Sequence, residues 1–317
     1  MDSFIYSVNA TMPIFLVMVL GWFLRRKNLL DDKFVQQGNK LVFNVALPVQ
    51  LFNSVANTDF SVFADLKLLS YCILTAFGAF GVCWLIAILF VHPRASRGAF
   101  VQGASRGNVA ILGLAYIQNM YDGQTGAMPL VVAVSVTIYN VVSVLLLSVY
   151  DSEAHNEDKK TFLKNALIGI WKNPLLRGIM LGLLASLLQI RLPVIVAKTF
   201  TSVASISTPL ALIVLGAGFD FEQAKGKIRL TMGSAALKLI GLPAACMPIA
   251  IAMGFRGITL ASVLIMSGAA TAVSSYIMAK NMHNDEVLAS SVVAVTTLGC
   301  AFTLTFWIFI LKSMGLL

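Results

Sequence analysis

Polar side chains that could hold a charged solute are concentrated in two stretches, residues 98–121 and 258–281. The first carries Arg106, Gly107 and Asn108 near its centre, where a guanidinium and an amide could bind a carboxylate. Each stretch is as long as a membrane-spanning helix, yet small and polar residues crowd its middle. A charge at that depth is costly unless it faces protein or a water-filled cavity, so both stretches are predicted to lie inside the protein at its functional centre.

Both stretches are predicted to be interrupted helices, because glycine tolerates irregular backbone dihedrals. The first break is expected between Gly107 and Gly113, and the second between Gly268 and Ser275. An interrupted helix exposes N–H groups that suit an anion and C=O groups that suit a cation. The predicted substrate-binding residues are Arg106, Gly107, Asn108, Gly113, Ala270, Thr271, Ser274, Ser275 and Tyr276 at the breaks, with Asn44 and Pro48 from the second apolar segment.

Structural explanations compete with these roles. Small residues also permit tight helix packing, and Asn108 could make an inter-helix hydrogen bond worth about 0.6–2 kcal/mol. Arg106 could extend toward the cytoplasmic face rather than a substrate, and Pro48 could simply kink its helix. Lys238 lies deep in an apolar segment without an acidic residue on the same helix, so it could contact backbone carbonyls or a substrate, or extend its stem toward the interface.

The composition indicates a membrane protein. Hydrophobic residues make up 58% and charged residues 12% of the 317 residues, and the mean hydropathy is +0.85. The net charge of +9 does not indicate a nucleic-acid partner, because the basic residues form short clusters between apolar runs, as in cytoplasmic loops. The sequence shows neither a Cys/His cluster nor a nucleophile with a base, so we predict no metal site, no cofactor and no enzymatic activity.

Ten apolar runs are long enough to be membrane spans. They cover residues 5–24, 38–56, 66–91, 98–120, 126–150, 165–190, 195–217, 228–253, 257–280 and 286–313. Most Lys and Arg residues between the runs fall on one side, which the positive-inside rule makes cytoplasmic. Both termini are therefore predicted to lie outside the cytoplasmic membrane. Because basic residues follow the first run rather than precede it, it is expected to be a spanning helix and not a cleaved signal peptide.

A polar cytoplasmic loop at residues 151–164 divides the chain into halves of five predicted spans each, residues 1–150 and 165–317. The halves match at an offset of 161 residues, at which Pro48 aligns with Pro209 (209 − 48). Because five is odd, the second half must enter the membrane from the opposite side. The predicted fold is therefore all-α, with two inverted five-helix repeats whose broken helices 4 and 9 cross near the midplane.

Buried carboxylates are missing from the predicted spans, since no Asp or Glu lies in the middle of any of them. Proton relays and many cation sites are built from such groups. Together with the arginine, amide and hydroxyl groups, this favours an organic anion as the substrate. Coupling to protons, or to sodium through backbone carbonyls, stays open.

Three motifs carry a family resemblance: FNVALPVQLF in the second span, RGNVAILGL in the fourth and ATAVSSYIMAKN in the ninth. They resemble the auxin efflux carrier family over the whole chain, and the short loop after the fifth span is similar to that of bacterial members. The resemblance implies a fold similar to that of bile acid:sodium symporters. It also implies carboxylate substrates such as malonate, malate or an auxin-like acid. Asn108 corresponds to the family's crossover Asn, and Asn44 and Pro48 to its second-span Asn and Pro, whereas Ala115 and Ala270 replace two family prolines.

These expectations combine into a carrier embedded in the lipid bilayer of the cytoplasmic membrane, which moves a small carboxylate by alternating access. An anion channel and a non-transporting carboxylate sensor of the same fold are the alternatives. A homodimer packed through apolar helix faces is compatible with the sequence.

Overall fold

The computed structural model describes residues 2–56, 65–109, 113–122, 124–151, 173–190 and 192–317. All regular elements in these ranges are helices, which confirms the predicted all-α class. Nearly all of the predicted polar loop, and the beginning of the sixth predicted span at residues 165–172, lie outside the described residues.

The first half of the chain is built from helices α1 to α7. They are α1 (Asp2–Arg26), α2 (Asp32–Leu41), α3 (Leu47–Ala56), α4 (Leu66–Phe90), α5 (Ala95–Ser105), α6 (Leu114–Met120) and α7 (Met128–Val149). A π-helical turn, Val42–Ala46, joins α2 to α3, so the second predicted span is one helix with a widened turn. α2 begins after Asp31, whose Oδ1 accepts a hydrogen bond from the Phe34 N–H at 2.7 Å.

The second half contains helices α8 to α15. They are α8 (Pro174–Leu187), α9 (Val194–Ala217), α10 (Phe221–Gly226), α11 (Ile228–Ala236), α12 (Leu242–Ala252), α13 (Gly257–Gly268), α14 (Ser274–Asn281) and α15 (Glu286–Ser313). A second π-helical turn, Leu237–Gly241, joins α11 to α12. The eighth predicted span is therefore also a continuous helix with a widened turn.

Long apolar helices indicate a protein that crosses a membrane several times. Those in the described residues that are long and apolar enough to span a bilayer are Leu66–Phe90, Met128–Val149, Val194–Ala217, Ile228–Ala252 and Glu286–Ser313. Their outer faces carry large apolar side chains, such as Leu74 and Phe90, which are 73% and 74% exposed. Such faces suit lipid and not water. The count of ten spans and the inverted relation of the halves stay predictions.

Small residues bring pairs of helices into backbone contact. A Cβ atom on Gly216 of α9 would collide with the carbonyl of Met18 in α1, and one on Gly21 would collide with the carbonyl of Ile213. Between membrane helices, where lipid is as apolar as the side chains, this close approach is a main source of packing energy. α5 and α13 lie in the interior, since their residues 98–105 and 260–268 are buried throughout.

Candidate functional site

Both predicted helix interruptions are present. α5 ends at Ser105 and the chain is non-helical at residues 106–108, while α13 ends at Gly268 and α14 begins at Ser274. The predicted extension of the first break toward Gly113 includes residues 110–112, which lie outside the described residues, and Gly113 itself already has helical dihedrals before α6 begins at Leu114. Gly107 lies within the first interruption and Gly268 at the start of the second, where glycine tolerates irregular dihedrals.

The two interruptions lie against each other as a short antiparallel pair. Gly107 forms a bridge with Thr271, and the Asn108 N–H donates to the Ala270 carbonyl at 2.7 Å. These bonds satisfy backbone groups that the helix breaks would otherwise leave without partners. Gly107 eases the close approach, because a Cβ there would lie within tight contact of Lys238 Nζ at 3.1 Å and of the Met266 carbonyl at 3.2 Å.

Arg106 is a buried cation held by neutral groups. It is 5% exposed, and its Nη2 donates to Asn140 Oδ1 and to Ser274 Oγ, both at 2.7 Å. Its Nη1 approaches the Met278 sulfur at 2.6 Å. Within the described part of the chain, no carboxylate forms an ion pair with it. The guanidinium therefore does not extend to the cytoplasmic surface, and none of its described partners carries a negative charge.

A cavity of about 90 Å³ lies where the two interruptions meet α3, α7 and α9. By the volume that one buried water needs, this is room for about six waters or for a small solute. Four predicted site residues line it together: Arg106, Gly107, Asn108 and Ser274. The side-chain amide of Asn108 makes no hydrogen bond to any described residue, so it is available to a ligand in the cavity.

Other predicted residues at the breaks build the frame of the site. Ala270 supplies the carbonyl that Asn108 binds, and the Thr271 hydroxyl donates to the Gly103 carbonyl at 2.6 Å. Gly113 packs against the Met128 side chain at the start of α7. Thr271 therefore uses its hydroxyl inside the protein, outside the described lining of the cavity.

The remaining predicted residues lie away from the cavity. Ser275 and Tyr276 are buried in α14, and the Tyr276 hydroxyl faces Gly218 at the end of α9. Asn44 is exposed, and its amide donates to the Lys40 carbonyl one turn earlier at 2.9 Å. Pro48 packs its backbone against Gly178 of α8. Pro48 thus supports the α3–α8 contact, and the next turn of α3 reaches the cavity.

Several lining residues were not among the predicted ones. Gln50, Ser207 and Thr208 face the cavity from α3 and α9, and Asn140 faces it from α7. The Asn140 amide donates to the Val136 carbonyl at 2.7 Å, which turns its oxygen toward Arg106. These residues could have been predicted from the sequence because each is a polar residue within an apolar span. Burying such a group requires a polar partner.

Lys238 contacts the interruption at another point. Its side chain is fully buried, and Nζ donates to the Ser267 carbonyl at 2.8 Å. Of the roles open to it from the sequence, the structure shows contact with a backbone carbonyl. Among the described residues, no group of three or more His, Cys, Asp or Glu side chains could hold a metal ion.

A cavity formed where two broken helices meet inside a helical membrane protein is a feature found among membrane transport proteins. The profile of a family described as "Membrane transport protein" matches residues 6–308. The chain belongs to this family, which confirms the predicted membership of the auxin efflux carrier family. It is a family of transport proteins, not of enzymes.

Two relatives that align with this chain over nearly their whole length are also named as transporters. The uncharacterized transporter YfdV of Escherichia coli K12 is 26% identical over 316 residues, covering 98% of this chain and 99% of the relative. An uncharacterized transporter of Methanothermobacter thermautotrophicus is 23% identical over 310 residues, covering 96% and 98%. The similarity therefore extends over nearly all of this chain and of each relative.

Proposed function

We propose that this membrane transporter moves a small organic carboxylate across the cytoplasmic membrane by alternating access, and that the carboxylate binds in the central cavity. The observation that carries the proposal is Arg106, a buried guanidinium that lines the cavity without a carboxylate partner among the described residues. A buried charge without a counter-charge is unfavourable. An anion in the cavity would supply the missing charge.

The geometry around Arg106 favours a carboxylate over other anions. Asn140 and Ser274 hold one end of the guanidinium in place, so the planar donor fork is oriented before a ligand arrives. The free amide of Asn108 and the side chain of Gln50 offer further hydrogen bonds at the same cavity. The size of the cavity suits a small acid such as malonate or malate better than a bulky one.

Support for alternating access comes from the two halves of the chain. Leu47 and Thr208 both line the cavity and are 161 residues apart (208 − 47), and Gln50 and Ala211 are separated by the same number (211 − 50). This is the offset at which Pro48 aligns with Pro209. The cavity is thus lined by corresponding positions of the two halves. If the halves are inverted repeats, one half could move against the other around this site and open it to each side of the membrane in turn. The proposed orientation, with both termini outside, rests on the distribution of basic residues.

The test is uptake of radiolabelled carboxylates into proteoliposomes by the wild type and the Arg106→Gln variant. Losing one partner of a buried ionic contact costs about 2–5 kcal/mol, so uptake should fall by about 30-fold or more. Arg229→Gln is the matched control, because Arg229 is exposed on α11 and outside the described lining.

Uptake by Arg106→Gln at the wild-type rate would contradict the proposed anion site. Flux that does not saturate with concentration would indicate a channel. Stabilisation of the purified protein by a carboxylate without any uptake would indicate a sensor.

A further inference from the structure

Lys238 brings a second buried positive charge to the crossover. It lies in the π-helical turn Leu237–Gly241, in the middle of the continuous helix Ile228–Ala252. π-helical turns shift the direction of the following side chains and recur at functional positions. The ammonium lies 3.1 Å from the place where a Gly107 Cβ would be, so it reaches the bridge between the two interruptions.

The partner of this ammonium is the C-terminal end of a broken helix. Nζ donates to the carbonyl of Ser267, the residue before the last residue of α13, at 2.8 Å. The last carbonyls of a helix have no partners within that helix and carry partial negative charge. In carriers built from broken helices, such carbonyl ends are the ligands of the coupling cation. The Lys238 ammonium therefore lies at a helix C-terminus, the kind of position at which backbone carbonyls bind a coupling ion in other carriers.

Among the described residues, no acidic side chain pairs with Lys238. The titratable groups that interact with it are the thiols of Cys83, Cys246 and Cys300. Within the described residues it takes part in no salt bridge. The described hydrogen-bond partner of the charge is thus a backbone carbonyl, the kind of ligand that also binds alkali ions in desolvated sites.

We propose that the Lys238 ammonium is a resident cation in a carbonyl site that binds a small alkali ion such as sodium once the side chain is removed. The consequence for the proposed function, on which this part rests, is that carboxylate transport by the wild type needs no sodium. The fixed charge does the work of an ion that would otherwise bind and leave in every cycle.

The experiment compares thermal unfolding of purified wild type, Lys238→Ala and Lys238→Met in sodium chloride and in choline chloride at equal ionic strength. Lys238→Ala removes the charge and leaves space for an ion, whereas Lys238→Met removes the charge and fills the space. Sodium should raise the Tm of Lys238→Ala by about 2–5 °C and leave the Tm of wild type and Lys238→Met unchanged. Lys198→Ala, at an exposed position of α9, is the control for a general salt effect.

The proposal is overturned if Lys238→Ala has the same Tm in both salts, or if Lys238→Met gains as much from sodium as Lys238→Ala. It is also overturned if Lys238→Ala yields no folded protein in either salt while Lys238→Met folds.

Proteoliposome uptake adds a second readout. Wild-type uptake should be equal in the two salts, and that of Lys238→Ala should be higher in sodium. Sodium-dependent uptake by the wild type would contradict the resident-cation role. A wild type that takes up no carboxylate would end the transport proposal, and the unfolding data would still decide the cation site by themselves.

Discussion

Two positively charged side chains in different parts of the molecule have opposite surroundings. Lys227, at the start of α11, donates to Asp285 Oδ2 at 2.8 Å, and the Ser96 hydroxyl donates to the same oxygen. Arg106, at the crossover, is more deeply buried and has only neutral partners among the described residues. The Lys227 charge is balanced by the protein itself, whereas the described residues supply no counter-charge for Arg106. This difference is the basis for proposing Arg106 as the anion-binding residue.

The largest effect should come from giving Arg106 a permanent partner. Asn140→Asp keeps the size of the side chain and puts a carboxylate next to the Arg106 Nη2, as Asp285 is next to Lys227. A bound anion would then compete with a fixed one, so proteoliposome uptake should fall about 100-fold or more while the folded protein stays at least as stable. Uptake and Tm are measured on the same preparation.

The control for this substitution is Asn281→Asp. The Asn281 amide donates to the carbonyl one turn earlier, as that of Asn140 does, but at the end of α14 and outside the described lining of the cavity. Normal uptake by Asn140→Asp would contradict the proposal that Arg106 must stay free of a protein carboxylate in order to bind the substrate.

Breaking the balanced pair should affect stability more than transport. Asp285→Asn weakens the bonds from Lys227 and Ser96, and it weakens the cap that the carboxylate forms on the Leu288 N–H at 3.0 Å. The Lys227 side chain is 30% exposed and that of Asp285 9%, so water screens part of the effect. We expect a loss of about 1–2 kcal/mol, seen as a lower Tm, with uptake per folded protein unchanged.

Glu222→Gln is the matched control, because the Glu222–Lys225 pair is exposed and should contribute nothing measurable. A Tm for Asp285→Asn equal to that of the wild type would contradict the structural role of the balanced pair.

The Lys227–Asp285 pair should make the stability of the protein depend on pH in the acidic range. Burial by itself would raise the pKa of Asp285, but the hydrogen bonds from Lys227, Ser96 and the Leu288 N–H outweigh it and hold the pKa below its usual value. A carboxylate with a lowered pKa stabilises the fold above its unfolded pKa, about 3.9, and this contribution is lost as the pH falls through the folded pKa. Between about pH 5 and pH 3, the Tm of the wild type should therefore fall more steeply than that of Asp285→Asn. Parallel curves would show that the carboxylate contributes no pH-dependent stability.

The smallest effect is expected at Asn44. The sequence motif makes it a candidate site residue, but its exposed amide is already bonded to the Lys40 carbonyl of its own helix. Asn44→Ala should change the free energy of unfolding by less than about 0.5 kcal/mol and leave uptake unchanged. A large fall in uptake would mean that Asn44 contacts the substrate in another state of the cycle.

Composition, the lengths of the apolar runs and the glycine positions identify the class of protein and the regions where the two central helices break. Hydropathy and length identify membrane helices because lipid accepts only apolar, internally bonded segments. Gly107 and Gly268 mark the interruptions because local backbone freedom is a property of the residues themselves, whereas Gly113 has helical dihedrals in the structure. Arg106 and Asn108 were recognisable as unusual because their position along the chain places them in the middle of a membrane-length segment.

Which polar groups face the cavity depends on how the helices pack together. Gln50, Ser207 and Asn140 line it, while Thr271 and Asn44 bond to backbone carbonyls elsewhere. Their directions depend on how each helix is rotated against its neighbours. The π-helical turns at Val42–Ala46 and Leu237–Gly241 change that rotation within a single span. The absence of a described acid beside Arg106 is likewise a fact of assembly, because the partners of a buried charge come from helices far apart in sequence.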